Sequence, residues 1–179
     1  MTDRKLIGRV LAGDAEAFRT LVERYQQPVL CLVRNLLGDR HLSEDIAQDV
    51  FLSAWRKLGQ YDPGRAALLT WLLAIARNRC MSVMRKRSPL LTDRLPERTD
   101  CADPARQAAQ AEFFEHLDGA LEALPAEQRT AFVLSELMGL SGPEISQIES
   151  APQGTIRSRL SRAKQALREA LKPFAGGDA

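Results

Sequence analysis

The side chains between residues 152 and 172 are of the kind that bind phosphate. In PQGTIRSRLSRAKQALREALK, six lysines and arginines stand against one acid, Glu169, so the segment carries a charge of +5. Guanidinium groups bind nucleic-acid phosphates and can also hydrogen-bond to base edges. A merely solvated helix face usually interleaves both signs, as LVERYQ does earlier in the chain. The charge of this segment therefore favours docking on DNA.

The elements that would position these cations can be predicted from the caps around them. Ser141 and Glu144 have the spacing of a capping box, and Pro143 suits a first helical turn, so a short helix is expected from about Gly142 to about Ile148. A turn at 149–152 follows, in which Pro152 suits the start of the next helix. A short helix, a tight turn and a longer basic helix form a helix-turn-helix motif.

The second helix of this motif has an apolar stripe and an opposite polar front. The stripe consists of residues spaced three and four apart, namely Ile156, Leu160, Ala163, Leu167 and Leu171. The front, placed at 100° per residue, contains mainly small polar residues: Gly154, Thr155, Ser158, Ser161, Arg162 and Gln165. Arg157, Lys164 and Arg168 lie on one flank of the front and Arg159 on the other. The front is predicted to approach the groove while the flanking cations reach phosphates.

A second basic patch lies between residues 63 and 92, where six lysines and arginines occur with no acid at all. It contains the helical pattern LLTWLLAIARNRCMSVMRKR, with Trp71, Asn78 and Arg79 predicted away from its buried side. Together with Tyr61 just upstream, these residue types are those that stack on bases and contact phosphates in single-stranded DNA sites. The alternative is that Tyr61 and Trp71 are simply core aromatics.

The preceding helix, SEDIAQDVFLSAWRKL, has an acidic start. Glu44 and Asp45 would complement the helix dipole in a first turn, which is sufficient to explain them. Gln48 and Asp49 lie one turn further in, where the dipole explains them less well. A protein partner with a basic surface is therefore the second interpretation of this face.

Other kinds of chemistry find no support in the sequence. The three cysteines are far apart and the two histidines have no metal-ligand spacing, so neither a disulfide framework nor a zinc site is expected. There is no phosphate-binding glycine loop and no nucleophile elbow, so the protein is not expected to be an enzyme or to need a cofactor. No apolar run approaches the roughly 20 residues that span a bilayer, and the N-terminus lacks the apolar core of a signal peptide. We expect a cytoplasmic protein without membrane insertion.

The periodicity predicts an all-α fold of two small helical domains joined by a flexible acidic linker, with the helix-turn-helix in the C-terminal domain. Helical spacing runs through residues 14–58 and 66–87, with Asp14 as a cap, Pro28 as a helix start, and Gly38 and Gly59 as helix ends. Residues 88–104 hold three prolines and four acids without a sustained period. The predicted division is therefore 1–87, a linker at 88–104, and 105–179.

The order and spacing of five segments resemble those of the extracytoplasmic-function sigma factors, which belong to the sigma-70 family of bacterial RNA polymerase subunits. The segments are DIAQDVFLSAW, TWLLAIARNR, the acidic linker, LPAEQRTAFVLSEL and GTIRSRLSRAK, and the resemblance extends from about Asp14 to Leu171. It implies a protein without catalytic chemistry that binds core RNA polymerase, recognises two promoter elements and helps to melt the DNA. It also implies an anti-sigma factor as a partner.

The resemblance assigns roles to particular residues in each segment. Asp45, Gln48, Asp49 and Phe51 would contact the clamp coiled coil of the largest polymerase subunit. Residues 1–87 would bind core polymerase and open the minus-ten element, through Tyr61, Trp71, Arg77, Asn78 and Arg79. Residues 105–179 would recognise the minus-thirty-five element through Gly154, Thr155, Arg157, Ser158, Arg159 and Arg162. In one departure from the family, Glu149-Ser150-Ala151 stands where the turn often contains glycine.

Two alternatives to a promoter-specificity subunit remain open from the sequence. A sigma-like interaction protein would bind polymerase or an antagonist without reading DNA, but it would be expected to have a degraded basic helix. An ordinary helix-turn-helix repressor or activator would bind duplex DNA without polymerase, but it leaves the segments at 45–79 unexplained.

Overall fold

The computed structural model describes residues 1–87, 113 and 116–174, and within these ranges every regular element is helical. Helix α1 is Asp3–Leu11, α2 is Ala15–Leu37 and α3 is Arg40–Lys57, followed by a 3-10 turn at Leu58–Gln60. Helix α4 is Leu68–Arg87. Residues 116–123 are helical, α5 is Ala126–Phe132 and continues as a π-helical turn at Val133–Leu137. Helix α6 is Gly142–Glu149, α7 is Gln153–Ala170, and a 3-10 turn lies at Lys172–Phe174.

The predicted all-α fold and the C-terminal helix-turn-helix are confirmed, the motif being formed by α6 and α7. The predicted linker at 88–104 lies outside the described residues. Among the described helices, none combines the length and the apolar character needed to cross a bilayer.

Several predicted helix ends are found where local chemistry placed them. As predicted, the carboxylate of Asp14 caps α2, accepting the N–H group of Ala17 at 3.1 Å. Asp39, which was not predicted as a cap, does the same for α3 by accepting the N–H group of Leu42 at 3.0 Å. Gly38 ends α2 with a φ of +70°, a conformation that glycine adopts without strain. At the start of α6, the Ser141 N–H donates to the Glu144 carboxylate at 2.8 Å, as expected for a capping box.

Two predictions about the first half are wrong. Pro28 does not start a helix but lies inside α2, where the buried residues Val29, Leu32 and Val33 keep the chain helical despite the lost backbone hydrogen bond. A separate helix, α1, precedes the predicted helical block, and it packs on α2 through only two buried side chains, Leu6 and Val10. Leu6, Ile7, Val10 and Leu11 recur at helical spacing, so the signal for α1 was present in the sequence and was missed.

One apolar core runs through both halves of the described chain. Buried residues of α1 to α4 form a continuous cluster with Val133, Leu134, Ile145, Ile148 and Ile156 of the C-terminal half. Helix α4 is central, since it packs against α2 and α3 and also against α6. The buried side of α4 was predicted to consist of Leu69, Leu72, Leu73, Ala76, Cys80, Val83 and Met84. Of these, Leu72, Leu73, Ala76 and Cys80 are buried and the other three are half-buried, while Leu68, Thr70 and Met81 are buried in addition.

A second, smaller cluster lies within the C-terminal half. Leu121 and Leu124 pack with Ala163 and Leu167 of α7. The apolar stripe of α7 is thereby turned inward, with Ile156, Ala163 and Leu167 buried and Leu160 and Leu171 half-buried. The opposite side of α7 is left to face solvent.

Candidate nucleic-acid and protein interfaces

The front of α7, the second helix of the helix-turn-helix motif, is exposed near the start of that helix. Gly154, Thr155, Arg157, Ser158 and Arg162 are all exposed. Arg157 and Arg162 form no ion pair or side-chain hydrogen bond with other described residues, so their guanidinium groups can bind a ligand without breaking an existing contact. The helix begins after Pro152, so the free N–H groups of its first turn lie beside Gly154 and Thr155. Free backbone N–H donors, small residues and unpaired cations are the features that a surface needs to bind a DNA groove, because the groove is lined by anionic phosphates.

Arg159 differs from the other candidates on this helix. Its Nη1 donates to Oε2 of Glu149, the last residue of α6, and its side chain is only 25% exposed. Glu149 itself is buried. Arg159 therefore links the two helices of the motif, and a contact between its guanidinium and DNA would have to compete with this pair.

Glu149 also faces a cation of the N-terminal half. Nη2 of Arg77 in α4 lies 4.0 Å from the same carboxylate oxygen, and the Arg77 side chain is 17% exposed. Burial raises the pKa of Glu149, although the charges of Arg159 and Arg77 both lower it. Of the predicted minus-ten residues, Arg77 is thus the one held between the two halves.

The other minus-ten candidates lie on or near the solvent side of α4. Asn78 and Arg79 are exposed; Arg77 donates to Asn78 Oδ1 at 3.2 Å, and Arg79 donates to Ser53 Oγ at 2.9 Å. Tyr61 and Trp71 are half-buried with ring centroids 5.3 Å apart and planes tilted by 51°.

The Tyr61 ring has a structural contact of its own. Its hydroxyl donates to the Ala66 carbonyl at 2.9 Å and so closes the loop between α3 and α4. Burial, with Asp3 and Asp62 nearby, raises the pKa of this hydroxyl. Both rings pack against the apolar core. The core-aromatic interpretation of Tyr61 and Trp71 therefore accounts for part of each side chain, and the remainder of each half-buried side chain is accessible.

The face of α3 that was predicted to bind a protein is exposed and partly apolar. Asp45, Gln48 and Asp49 are exposed, whereas Phe51 is a core residue with 8% exposure. Two residues that sequence reasoning missed continue the exposed face, at helical spacing from Gln48: Leu52 and Trp55, which are 54% and 43% exposed. The spacing of these large apolar residues from Asp45 and Gln48 was the signal that could have found them.

The cysteines show no sign of a metal or disulfide site in the described chain. Cys31 is half-buried and Cys80 buried, both as free thiols, and burial raises the pKa of Cys80 to about 12. Cys101 lies outside the described residues. No cluster of three or more potential metal ligands occurs among the residues that are described.

An all-α protein with an exposed basic recognition helix belongs to the class of helix-turn-helix DNA-binding proteins. Comparison with known families makes the assignment specific. The chain matches Sigma-70 region 2 over residues 21–89 and Sigma-70, region 4 over residues 114–167.

Relatives that align with nearly the whole chain agree with this assignment. The chain is 35% identical to the RNA polymerase sigma-H factor of Pseudomonas aeruginosa, covering 96% of this chain and 95% of the relative. It is 33% identical to the ECF RNA polymerase sigma-E factor of Escherichia coli, covering 97% and 96%.

Solved structures show the same fold. The sigma factor RpoE of Bartonella quintana, in complex with the anti-sigma factor NepR, is 27% identical, with a TM-score of 0.72 over 87% of this chain and 96% of that one. CnrH in complex with the cytosolic domain of CnrY also has a TM-score of 0.72, at 23% identity, over 96% and 97%.

The chain belongs to the extracytoplasmic-function RNA polymerase sigma factors. It is a transcription initiation factor without enzymatic activity, which binds core RNA polymerase and promoter DNA. The ordinary repressor or activator is thereby excluded as an alternative.

Proposed function

We propose that this sigma factor divides promoter recognition between its two halves. Residues 1–87 bind core polymerase and open the minus-ten element, and residues 105–179 recognise the minus-thirty-five element. The observation that carries this proposal is the exposed front of α7, where Arg157 and Arg162 have no partner among the described residues. We also place the protein in the cytoplasm, where its polymerase partner acts.

Within the recognition helix, the front residues are the base-reading candidates. Gly154, Thr155 and Ser158 are small and exposed, so the helix backbone can come close to the groove floor. Arg157 and Arg162 supply the bidentate or phosphate contacts. Arg159 contributes to the same surface only after its pair with Glu149 is broken.

The acidic face of α3 is the proposed polymerase contact. Asp45, Gln48 and Asp49 supply charge and hydrogen bonds, and Leu52 and Trp55 supply apolar area. Aromatic residues of this kind carry much of the binding energy at protein interfaces. Phe51 supports this helix from inside, since it is part of the core.

The minus-ten contacts are assigned to the α4 side. Asn78 and Arg79 are exposed, Tyr61 and Trp71 form a half-buried ring pair, and Arg77 lies at the boundary with the C-terminal half. Base stacking on exposed aromatic faces is the physical basis of such a site. An anti-sigma factor is a further proposed partner, supported by the structural relative that is bound to one.

The test is transcription reconstituted from purified core polymerase and this protein. Initiation is expected at promoters that core polymerase alone ignores. Arg157→Ala and Arg162→Ala should each weaken promoter binding by about 1–3 kcal/mol if the residue makes a bidentate base contact, and should change the preferred minus-thirty-five sequence. Arg4→Ala, an exposed cation of α1, is the matched control and should leave promoter choice unchanged.

The pattern across promoters distinguishes the kinds of contact. A phosphate contact would weaken all promoters alike and would reduce the salt dependence of binding. If neither arginine variant affects binding to any promoter, the assignment of the α7 front to DNA is wrong.

A further inference from the structure

The six lysines and arginines of residues 152–172 fall into two sets in the folded chain. Three of them lie within ion-pair distance of an acid: Arg159 with Glu149, Lys164 with Glu136, and Lys172 with Glu169. The other three are exposed and form no ion pair or side-chain hydrogen bond with other described residues: Arg157, Arg162 and Arg168. The positive charge that this segment can offer to DNA is therefore smaller than its sequence indicates.

The three ion pairs differ in how much water reaches them. In the pair of Lys164 with Glu136, both side chains are more than a third exposed, and the pair formed by Lys172 is more exposed still. Exposed pairs are screened by water and are weak, so a DNA phosphate can compete for these lysines. The side chain of Glu149 is instead fully buried, and that of Arg159 is 25% exposed. Of the three cations, Arg159 alone is held by a carboxylate that lies out of water.

The Glu149 carboxylate depends on Arg159 for its compensation. Its Oε2 accepts a hydrogen bond from Nη1 of Arg159, whereas its Oε1 is buried without a partner among the described residues. Nη2 of Arg77 lies 4.0 Å from Oε2, which is too far for a hydrogen bond. Moving Arg159 away would therefore leave a buried negative charge poorly compensated.

The magnitudes decide whether DNA can draw Arg159 out of this pair. Removing one partner of a buried ion pair disfavours the resulting state by about 150-fold or more. A bidentate arginine contact to a base strengthens binding by about 5-fold to about 150-fold. The loss thus equals or exceeds the gain, so Arg159 is expected to stay on Glu149 when α7 docks on DNA.

We propose that Glu149 is a specificity-determining residue of the recognition helix, which keeps Arg159 out of the DNA interface so that Arg157 and Arg162 read the bases. The proposal rests on the DNA role proposed above for the front of α7. Glu149 is the last residue of α6 and acts on the interface through Arg159, without touching DNA itself. Part of the promoter preference then comes from a contact that is prevented.

The substitution Glu149→Gln releases Arg159, because the amide has the shape of the carboxylate but no charge to hold a guanidinium. The variant should bind a duplex of mixed sequence about fivefold more tightly than wild type, or better. Its affinity should also fall more steeply with salt, by about 0.9 in the log–log slope, because one further phosphate contact releases counterions.

The full-length chain can be used for this measurement without polymerase, since the front of α7 is exposed in it. A fluorescent duplex of mixed sequence is titrated by anisotropy between about 50 and about 200 mM salt, and circular dichroism confirms that each variant is folded. Holoenzyme reconstituted with core polymerase is then used to select promoter duplexes that are randomised in the minus-thirty-five region. Glu149→Gln should show a preference at one more base pair than wild type.

The decisive variant carries Glu149→Gln and Arg159→Gln together. It leaves no unpaired buried charge, so it is expected to fold, and its affinity, salt slope and selected sequence should return to those of wild type. Glu127→Gln is the charge-matched control. Glu127 lies close enough to act on Glu149 but forms no ion pair with α7 in the described chain, so its loss should leave binding unchanged.

Two results would overturn the proposal. If the double variant binds clearly more weakly than wild type, Arg159 contacts DNA in the wild-type protein and is not withheld. If Glu149→Gln gains the same affinity with or without Arg159, or Glu127→Gln gains as much, the effect is one of general charge.

Arg157→Ala separates these results from a failure of the proposed function. If Arg157→Ala leaves duplex binding unchanged, α7 does not dock on DNA, and the proposed function and the role of Glu149 both fail. If Arg157→Ala weakens binding while either of the two overturning results is obtained, the DNA role of α7 stands and only the role of Glu149 is refuted.

Discussion

Replacing Arg129 by methionine should destabilise the protein through two helix ends at once. Arg129 is a buried residue of α5 whose Nη1 donates to the Leu36 carbonyl at 2.9 Å and whose Nη2 donates to the Glu122 carbonyl. Leu36 is in the last turn of α2, and Glu122 is near the end of the helical residues 116–123. Carbonyls in a last turn have no N–H partner within their own helix, and a cation there also complements the helix dipole.

The size of the effect can be worked out from these contacts. Hydrogen bonds to a charged group contribute about 1.5–3 kcal/mol each, so the loss of two costs roughly 3–6 kcal/mol. Removing a buried guanidinium whose Nε has no partner among the described residues returns on the order of 1–3 kcal/mol. The difference between these two ranges is centred near 2–3 kcal/mol, so Arg129→Met should lower the free energy of unfolding by about that amount, and by at most about 5 kcal/mol.

The measurement is urea unfolding followed by circular dichroism, compared with Arg4→Met as an exposed control. The control should change the unfolding free energy by less than about 0.5 kcal/mol. Since Arg129 joins a helix of each half, its loss should also make the halves unfold less cooperatively. An unfolding free energy for Arg129→Met within about 0.5 kcal/mol of wild type would refute the capping role of Arg129.

Three further substitutions test other contacts. Phe51→Ala should lower the unfolding free energy by about 3–5 kcal/mol, measured by calorimetry, because it leaves a cavity in the core. A loss of polymerase affinity at unchanged stability would instead mean that Phe51 contacts the polymerase directly. Ser150→Gly should raise the unfolding free energy by several tenths of a kcal/mol up to about 1, because Ser150 adopts a φ of +50° in the turn of the motif; a decrease in thermal midpoint would contradict this account. Arg159→Gln should lower the unfolding free energy by roughly 3 kcal/mol, because it leaves the buried Glu149 carboxylate without its closest cation. In a double-mutant cycle, adding Glu149→Gln should restore most of that stability, and additive losses would argue against the pair.

Local chemistry determines much of the helical framework, and those parts were predictable. The caps at Asp14, Gly38, Ser141 and Glu144 act within a few residues, so they can be identified without knowledge of the fold. Failures occurred where distant contacts override local preference. Pro28 stays inside α2 because apolar residues before and after it in the helix, among them Leu21 and Val29, are buried. Helix α1 is a different kind of failure, because its apolar residues have helical spacing and the signal was missed.

The sequence also determined the family and the outward face of α7, because helical periodicity separates an apolar stripe from a polar front whatever the stripe packs against. Only the tertiary structure decided which cations remain available. Arg157 and Arg162 are free within the described chain, whereas Arg159 and Arg77 converge on Glu149 from helices that are far apart in sequence. The sequence shows which helix carries each arginine. Which acid pairs with that arginine depends on how the helices pack against one another.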